Sequence, residues 1–330
     1  MVRVAMLSFA HVHAEGYAKE VESIPEARIV AVWDEDPERG KEAARRHNVP
    51  FFEKLEDVLE MEEVDGVVLN APTSMHGEII KKAARAGKHV FTEKALTITT
   101  KEADEVVEAV EGSGIKFMIS LPSRCRPEIL FAKRVVEEGI IGRVATARAR
   151  IAHSAALDGW FGPGNWFRDE RRAGGGAYFD LGCHRVDVIR WLLGEPYCVI
   201  ARVNNFSGSY EIDDNSAAVI EFRNKALAMI DVTWVHRSGP NPLELYGTDG
   251  FLIIGYERMM LTSSMLSKEE AEEMTRNLPS PLPSPLRQWI DAIDKGSPMT
   301  ITVRDGRNLT ELLEATYISA REGRAVYLPI

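Results

Sequence analysis

The sequence predicts an α/β protein of two domains, and three observations carry that reading. Strand-like and helix-like stretches alternate through residues 1–120; from residue 199 strand follows strand across short turns; and 330 residues exceed the roughly 100–200 of one ordinary domain. Alternation of this kind implies βαβ units and a doubly wound parallel sheet with helices on both faces. Successive strands in residues 121–330 imply a second α/β domain built on a mainly antiparallel sheet.

Taken in order, Val2–Leu7 is a short apolar run that suits a buried strand, and Val12–Val21 reads as a helix. Arg28–Trp33 is a second strand, followed by helical stretches at Glu38–Arg46 and Leu55–Glu60. Asp65–Ala71, Lys88–Phe91 and Ile115–Ile119 are further strands. Between them, Met75–Ala86 and Lys101–Glu111 carry helical periodicity, and Gly87 and Gly112 are expected to end them. In the second half a helix at Ile129–Glu138 stops at Gly139, and Arg143–Ile151 is a strand. A loop rich in Gly, Trp and Arg (Asp158–Arg172) leads to Gly174–Gly176 and a helix reaching Leu193. Strands are expected at Val199–Asn204, Ser216–Phe222, Ala226–Trp234, Pro242–Gly247 and Gly250–Ile254. The Pro/Ser-rich stretch Leu278–Pro285 reads as a surface linker before helices at Leu286–Asp294 and Asp305–Glu322 and a last strand, Ala325–Leu328.

Composition excludes several classes of function. A net charge of −10 argues against nucleic acid, whose phosphates need a basic face. No apolar run reaches the roughly 18 residues of a membrane span, and the start lacks the pattern of a signal peptide, so no membrane partner and a cytoplasmic location are expected. Cys125, Cys183 and Cys198 are odd in number and show no CxxC spacing, which reads as reduced thiols rather than a disulfide frame or zinc site.

The first strand–turn–helix is where a doubly wound domain cradles a pyrophosphate, commonly on a GxGxxG turn. Here the turn is Ser8-Phe9-Ala10-His11-Val12-His13, with every glycine replaced. The helix that follows still offers amide groups to an anion. Asp34 closes the second strand, where an acidic side chain accepts hydrogen bonds from an adenosine ribose and repels a 2′-phosphate, favouring NAD over NADP; the alternative is that it caps the next helix. Two later strand ends carry Asn70-Ala71-Pro72-Thr73 with His76, and Thr92-Glu93-Lys94-Ala95. A lysine at such an edge can polarise a substrate oxygen; the plainer reading is a solvated Lys94–Glu93 pair.

The segment from Gly174 to Asp187 is the strongest local signal. On a regular helix Asp180, His184 and Asp187 share one face, so Asp180 can orient His184 as a general acid/base near neutral pH. A structural Asp–His pair is the alternative, and no further ligands suggest a metal there. Trp166 and Arg168, with Trp160, lie in the preceding loop and Arg124 in Pro-Ser-Arg-Cys-Arg-Pro; rings and guanidinium groups suit the faces and hydroxyls of a polyhydroxylated ligand.

These segments, in this order and over nearly the whole chain, resemble the Gfo/Idh/MocA family, which takes its name from glucose–fructose oxidoreductase, inositol dehydrogenase and a rhizopine-catabolism protein. The matching pieces are Ala71-Pro72 with His76, Ala86–Leu96, the full GGGxxxDxGxHxxD of residues 174–187, and the closing Asp305–Pro329. The resemblance implies an N-terminal Rossmann domain (1–120) and a substrate-binding and oligomerisation domain (121–330) with an open sheet. It implies NAD, or less readily NADP, held by Ser8, Phe9, Ala10, His11, Val12, Asp34, Asn70, Pro72, His76, Glu93 and Lys94. It further implies a sugar, cyclitol or related polyol as substrate, contacted by Arg124, Trp166, Arg168 and His184. Lys94 polarises the oxygen, His184 moves the proton with Asp180, and the chain is expected to form a homodimer or homotetramer. Two departures stand out: Ala95 replaces the family's proline, and the turn glycines are missing. An NAD-dependent glycosidase and a non-catalytic ligand binder with an altered turn are the competing expectations.

Overall fold

The computed structural model describes every residue except Pro163 and Ser238. Its contacts divide the chain into one unit of residues 1–121 and 283–310 and a second of residues 122–282 and 311–330.

In the first unit the elements run β1 (Val2–Leu7), α1 (Ala14–Ser23), β2 (Ala27–Trp33), α2 (Pro37–Arg46), β3 (Phe51–Phe52) and α3 (Leu55–Leu59). They continue as β4 (Gly66–Leu69), α4 (Thr73–Arg85), β5 (His89–Thr92), α5 (Thr100–Ser113) and β6 (Phe117–Ile119). All strands pair in parallel in the order β3-β2-β1-β4-β5-β6. This is the doubly wound order, whose direction reverses between β1 and β4, and ligands of such sheets bind at that reversal beside the strands' carboxyl ends. The sheet is apolar on both faces: Val4, Ala5, Met6 and Leu7 are fully buried, as are Val67, Val68 and Leu69.

Helix ends follow local chemistry. Asp36, not Asp34, caps α2 by accepting from the amides of Glu38 and Arg39. Gly87 follows α4 at φ +70°, as the sequence implies. Gly112 does not end α5; the helix runs through it to Ser113 and is capped by Gly114 at φ +70°. The two-residue strand β3 escapes sequence reading because it is too short to show a period. Beyond the Pro/Ser stretch, α10 (Pro285–Lys295) belongs to this first unit. Its Trp289 is wholly buried, donates to the Lys116 carbonyl at 3.1 Å and lies 6.1 Å from the Phe91 ring. A side chain at Gly66 would strike that indole, so a bare strand edge there is what lets α10 pack closely.

The second unit carries α6 (Pro127–Glu137), β7 (Val144–Ala152), α7 (Glu170–Ala173), α8 (Cys183–Leu193), β8 (Pro196–Asn204), β9 (Asn215–Phe222) and β10 (Leu227–Thr233). Next come β11 (Leu243–Gly247), β12 (Gly250–Ile254), β13 (Met260–Ser263), α9 (Lys268–Arg276) and β14 (Val326–Tyr327). The eight-stranded sheet has the order β13-β12-β11-β7-β10-β9-β8-β14. Every pair is antiparallel except β7 with β10, which is parallel. In β9, Ser216, Ala218, Ile220 and Phe222 are buried while Asn215, Ala217 and Val219 are exposed, so one face is core and the other open. The strand β13 and helix α9, whose Ser267 and Glu270 form a reciprocal capping box, were not legible as elements. The last helix, α11 (Val303–Glu322), starts in the first unit and finishes in the second.

Candidate active site

In the first unit the site is assembled at the carboxyl ends of β1, β2, β4 and β5. Ser8 leaves β1 with φ +71°, in the left-handed region a glycine adopts freely, and its amide donates to the Trp33 carbonyl at 2.6 Å. The glycine is missing but its backbone conformation is kept. The rest of the turn is tied down internally. Phe9 N donates to Asp34 Oδ2 (2.8 Å), Ala10 N to Ser8 Oγ (3.1 Å), His11 N to the Asn70 carbonyl (3.1 Å) and His13 N to His11 Nδ1 (3.2 Å). Val12 is exposed. Phe9 stacks on His47 at 5.7 Å, with the Arg46 guanidinium 5.8 Å from its ring.

Asp34 is 2% exposed and heavily engaged. Besides Phe9 N it accepts from Asp36 N (2.8 Å) and, in a bidentate pair, from Arg39 Nε (3.0 Å) and Nη2 (2.6 Å). Sequence reading missed Arg39, although its position one helical turn into α2 points it back at the strand end. Asn70 is buried; its Nδ2 donates to the Val68 carbonyl at 3.3 Å, and its buried Oδ1 has no protein partner. Pro72 immediately precedes α4, and His76 near the start of that helix lies 2.9 Å from two carbonyls, that of Ala95 at Nδ1 and that of Ala71 at Nε2. Burial pulls the His76 pKa down against these two contacts, which act to raise it. The imidazole joins the end of β4 to the loop after β5.

That loop holds Glu93 and Lys94, which are 1% and 6% exposed, not a solvated surface pair. The Lys94–Ala95 peptide is cis. Glu93 Oε1 accepts from the Tyr17 hydroxyl (2.5 Å) and lies 2.8 Å from His13 Nδ1, and Oε2 accepts from Lys94 N at 2.9 Å. Burial works against the ionised form, but the His11 charge, the His13 hydrogen bond and the Lys94 charge outweigh it and hold Glu93 well below the usual carboxylate range. Tyr17, also 2.7 Å from Ser120 Oγ, is driven well above the ordinary phenol range by burial and by Glu93. Neither Tyr17 nor Ser120 announced itself in the sequence, because no local motif marks either.

In the second unit the triple glycine is explained by what faces it. A Cβ on Gly175 would meet the Tyr317 ring at 2.4 Å, and one on Gly176 the Asp213 carbonyl at 1.8 Å. The Asp213 carboxylate accepts from Gly176 N (2.8 Å), Tyr178 N (3.1 Å), the Tyr317 hydroxyl (2.7 Å) and Ser216 Oγ (2.8 Å). This buried carboxylate fixes the start of the helix that carries Asp180 and His184. The helix is not regular there: Tyr178–Gly182 forms a π-helical turn before α8. The expected single stripe of Asp180, His184 and Asp187 is therefore corrected. Asp180 and His184 are half-buried, whereas Asp187 is buried and forms a bidentate pair with Arg124 at 2.9 and 2.6 Å. Arg124 is itself 6% exposed, with Trp191 beneath its guanidinium, so it is anchored as Asp187's partner. Trp166 is likewise buried, stacked on Phe167 at 3.9 Å, while Trp160 is exposed beside His153. Arg168 donates to the Ser209 carbonyl at 2.9 Å and lies over the Tyr210 ring.

Comparisons with known proteins agree with this architecture. The family described as an oxidoreductase family with an NAD-binding Rossmann fold matches residues 3–121, and the GFO/IDH/MocA C-terminal domain matches residues 129–253. The NAD(+)-dependent scyllo-inositol 2-dehydrogenase of Bacillus subtilis is 26% identical over all of this chain and 97% of its own length. The levoglucosan dehydrogenase of Pseudarthrobacter phenanthrenivorans is 28% identical over 72% of this chain and 66% of its own. Among solved structures, GenD2 from gentamicin A biosynthesis, in complex with NAD, superposes with a TM-score of 0.83 at 25% identity, covering 100% of this chain and 97% of that one.

Proposed function

We propose, from the premise that this chain belongs to the Gfo/Idh/MocA family of oxidoreductases, that it transfers a hydride between NAD and a CH–OH carbon of a sugar, cyclitol or related polyol. The observation that carries the reading is Lys94: an ammonium group only 6% exposed at the carboxyl end of a parallel strand. Burying such a group costs several kcal/mol unless its environment uses the charge.

The residues fit a dinucleotide. The sheet reverses at β1/β4, Ser8 reproduces the backbone of a glycine turn, and Asn70 holds an unpartnered buried oxygen at the adjoining strand end. Ser8 to Val12, Asp34, Asn70, Pro72, His76, Glu93 and Lys94 would line the cofactor. The turn amides already spent on internal bonds shift the contact toward the amides of Glu15 and Gly16, which precede the helical ladder of α1. Bound NAD supplies the hydride acceptor. Lys94 Nζ donates to the reacting oxygen and lowers its proton affinity. The His184 imidazole takes the hydroxyl proton in oxidation and returns it in reduction, with Asp180 steadying the ring. Arg124, Trp166, Arg168 and His184 would border the polyol. The open face bearing Ile200, Val219, Leu227 and Met229 is assigned to a second copy of the chain, giving a homodimer or homotetramer.

A panel of sugars and inositols followed by nicotinamide absorbance tests the activity. Lys94→Ala and His184→Ala should abolish turnover while calorimetry shows that NAD still binds. Wild-type turnover in both variants refutes the assignment, and absence of NAD binding to the native chain favours a binder with an altered turn.

A further inference from the structure

The two histidines of the glycine-free turn converge on the one carboxylate of the Glu93–Lys94 loop. His13 Nδ1 lies 2.8 Å and His11 Nδ1 3.7 Å from Glu93 Oε1. One donor atom from each residue falls within 4.8 Å of the others. The rings of His11 and His13 are 4.6 Å apart at their centroids. From this geometry we propose that His11, His13 and Glu93 form a binding site for a divalent transition-metal cation, of which Zn²⁺ is the best match.

Donor chemistry selects the ion. Two imidazoles and one carboxylate suit Zn²⁺, whereas Mg²⁺ and Ca²⁺ require shells of oxygen. With Zn–N and Zn–O bonds near 2.0–2.1 Å, tetrahedral ligands stand about 3.3–3.4 Å apart. The two separations to Glu93, 2.8 and 3.7 Å, bracket that figure. Loading the site opens the His13–Glu93 hydrogen bond by about half an ångström. It also exchanges the 3.2 Å contact from His13 N to His11 Nδ1 for coordination.

The carboxylate is held as metal ligands commonly are. Tyr17 donates to the ligating Oε1 at 2.5 Å and the Lys94 amide to Oε2 at 2.9 Å, which fixes the group from behind. His11 and Glu93 are 2% and 1% exposed, while the His13 side chain is 51% exposed, so an ion enters from the His13 side and water can complete its shell. The turn thus substitutes a metal cradle for the glycines of the ordinary fingerprint, and it shares His11 and Glu93 with the proposed cofactor lining, so metal binding is read in the absence of nicotinamide.

The test uses the full chain, stripped with chelator and titrated with Zn²⁺ in the calorimeter without nicotinamide or sugar. Metal content after dialysis is measured in parallel. One equivalent is expected. His13→Ala, at a half-exposed position that tolerates truncation, should remove it, and Tyr17→Phe should weaken affinity by about 10-fold through the supporting hydrogen bond. Substoichiometric binding, or one equivalent that survives His13→Ala unchanged, overturns the site and leaves a plain His13–Glu93 hydrogen bond. Because NAD binding and turnover are read separately, a failure here is distinguishable from a failure of the dehydrogenase assignment.

Discussion

Replacing Ser8 separates the two things that its position demands. Ser8 sits at φ +71°, where an L side chain costs roughly 1–2 kcal/mol relative to its preferred regions. Its Oγ accepts from Ala10 N at 3.1 Å, a contact with a net contribution of about 0.5–1.5 kcal/mol. Ser8→Gly releases the strain but loses the bond and adds about 0.5–1 kcal/mol of unfolded-chain entropy, so its stability should lie within about 1 kcal/mol of the native chain. Ser8→Ala keeps the strain and loses the same bond, and should cost about 1 kcal/mol. The glycine variant is therefore expected to be the more stable of the two by roughly 0.5–1 kcal/mol, the left-handed penalty less the entropy. Urea unfolding of both variants measures the difference directly, with equal m-values as the check on two-state comparison. An alanine variant as stable as the glycine variant would refute the claim that this turn retains a glycine backbone.

Arg39→Ala should sharpen discrimination against NADP by about tenfold, since it removes a guanidinium that neutralises Asp34 beside the ribose position; NAD and NADP titrations read the ratio, and an unchanged ratio sinks the argument. Gly176→Ala should destabilise by about 2 kcal/mol or more, because its Cβ would lie 1.8 Å from the Asp213 carbonyl oxygen. Gly112→Ala, in the last turn of α5 with open space around it, should instead stabilise by up to about 0.5 kcal/mol, less than in a helix interior, and thermal unfolding distinguishes the two outcomes. Burial lowers the His76 pKa, so the unfolded chain binds the extra proton below about pH 6.5; stability from this residue is full above that value and falls as pH drops toward the folded pKa. His76→Gln should flatten that part of the pH–stability curve, and an unaltered slope between about pH 5.5 and 7 would contradict it.

Much of this protein was determined by its sequence alone. Apolar runs of four or five residues (Val4–Leu7, Ile29–Trp33, Gly66–Leu69) between amphipathic stretches name the parallel strands β1, β2 and β4, because a strand covered on both faces is largely apolar. Asp36, Gly87 and Gly139 mark helix ends through backbone chemistry that operates within a few residues. The order of the motifs was enough to place the chain in its family. Tertiary structure decided what no local pattern encodes. Asp187 looked like part of an acid/base stripe until Arg124, 63 residues away, was seen to hold it. Asp34 looked free to receive a ribose until Arg39 was found on it, and the three glycines acquired their reason only from Asp213 and Tyr317. His11 and His13 are separated from Glu93 by some 80 residues and by the width of an intervening strand, so no spacing rule could unite them. Strand and helix periods are short-range properties of the chain, whereas the state of a buried charge depends on whichever group the fold brings within hydrogen-bonding distance.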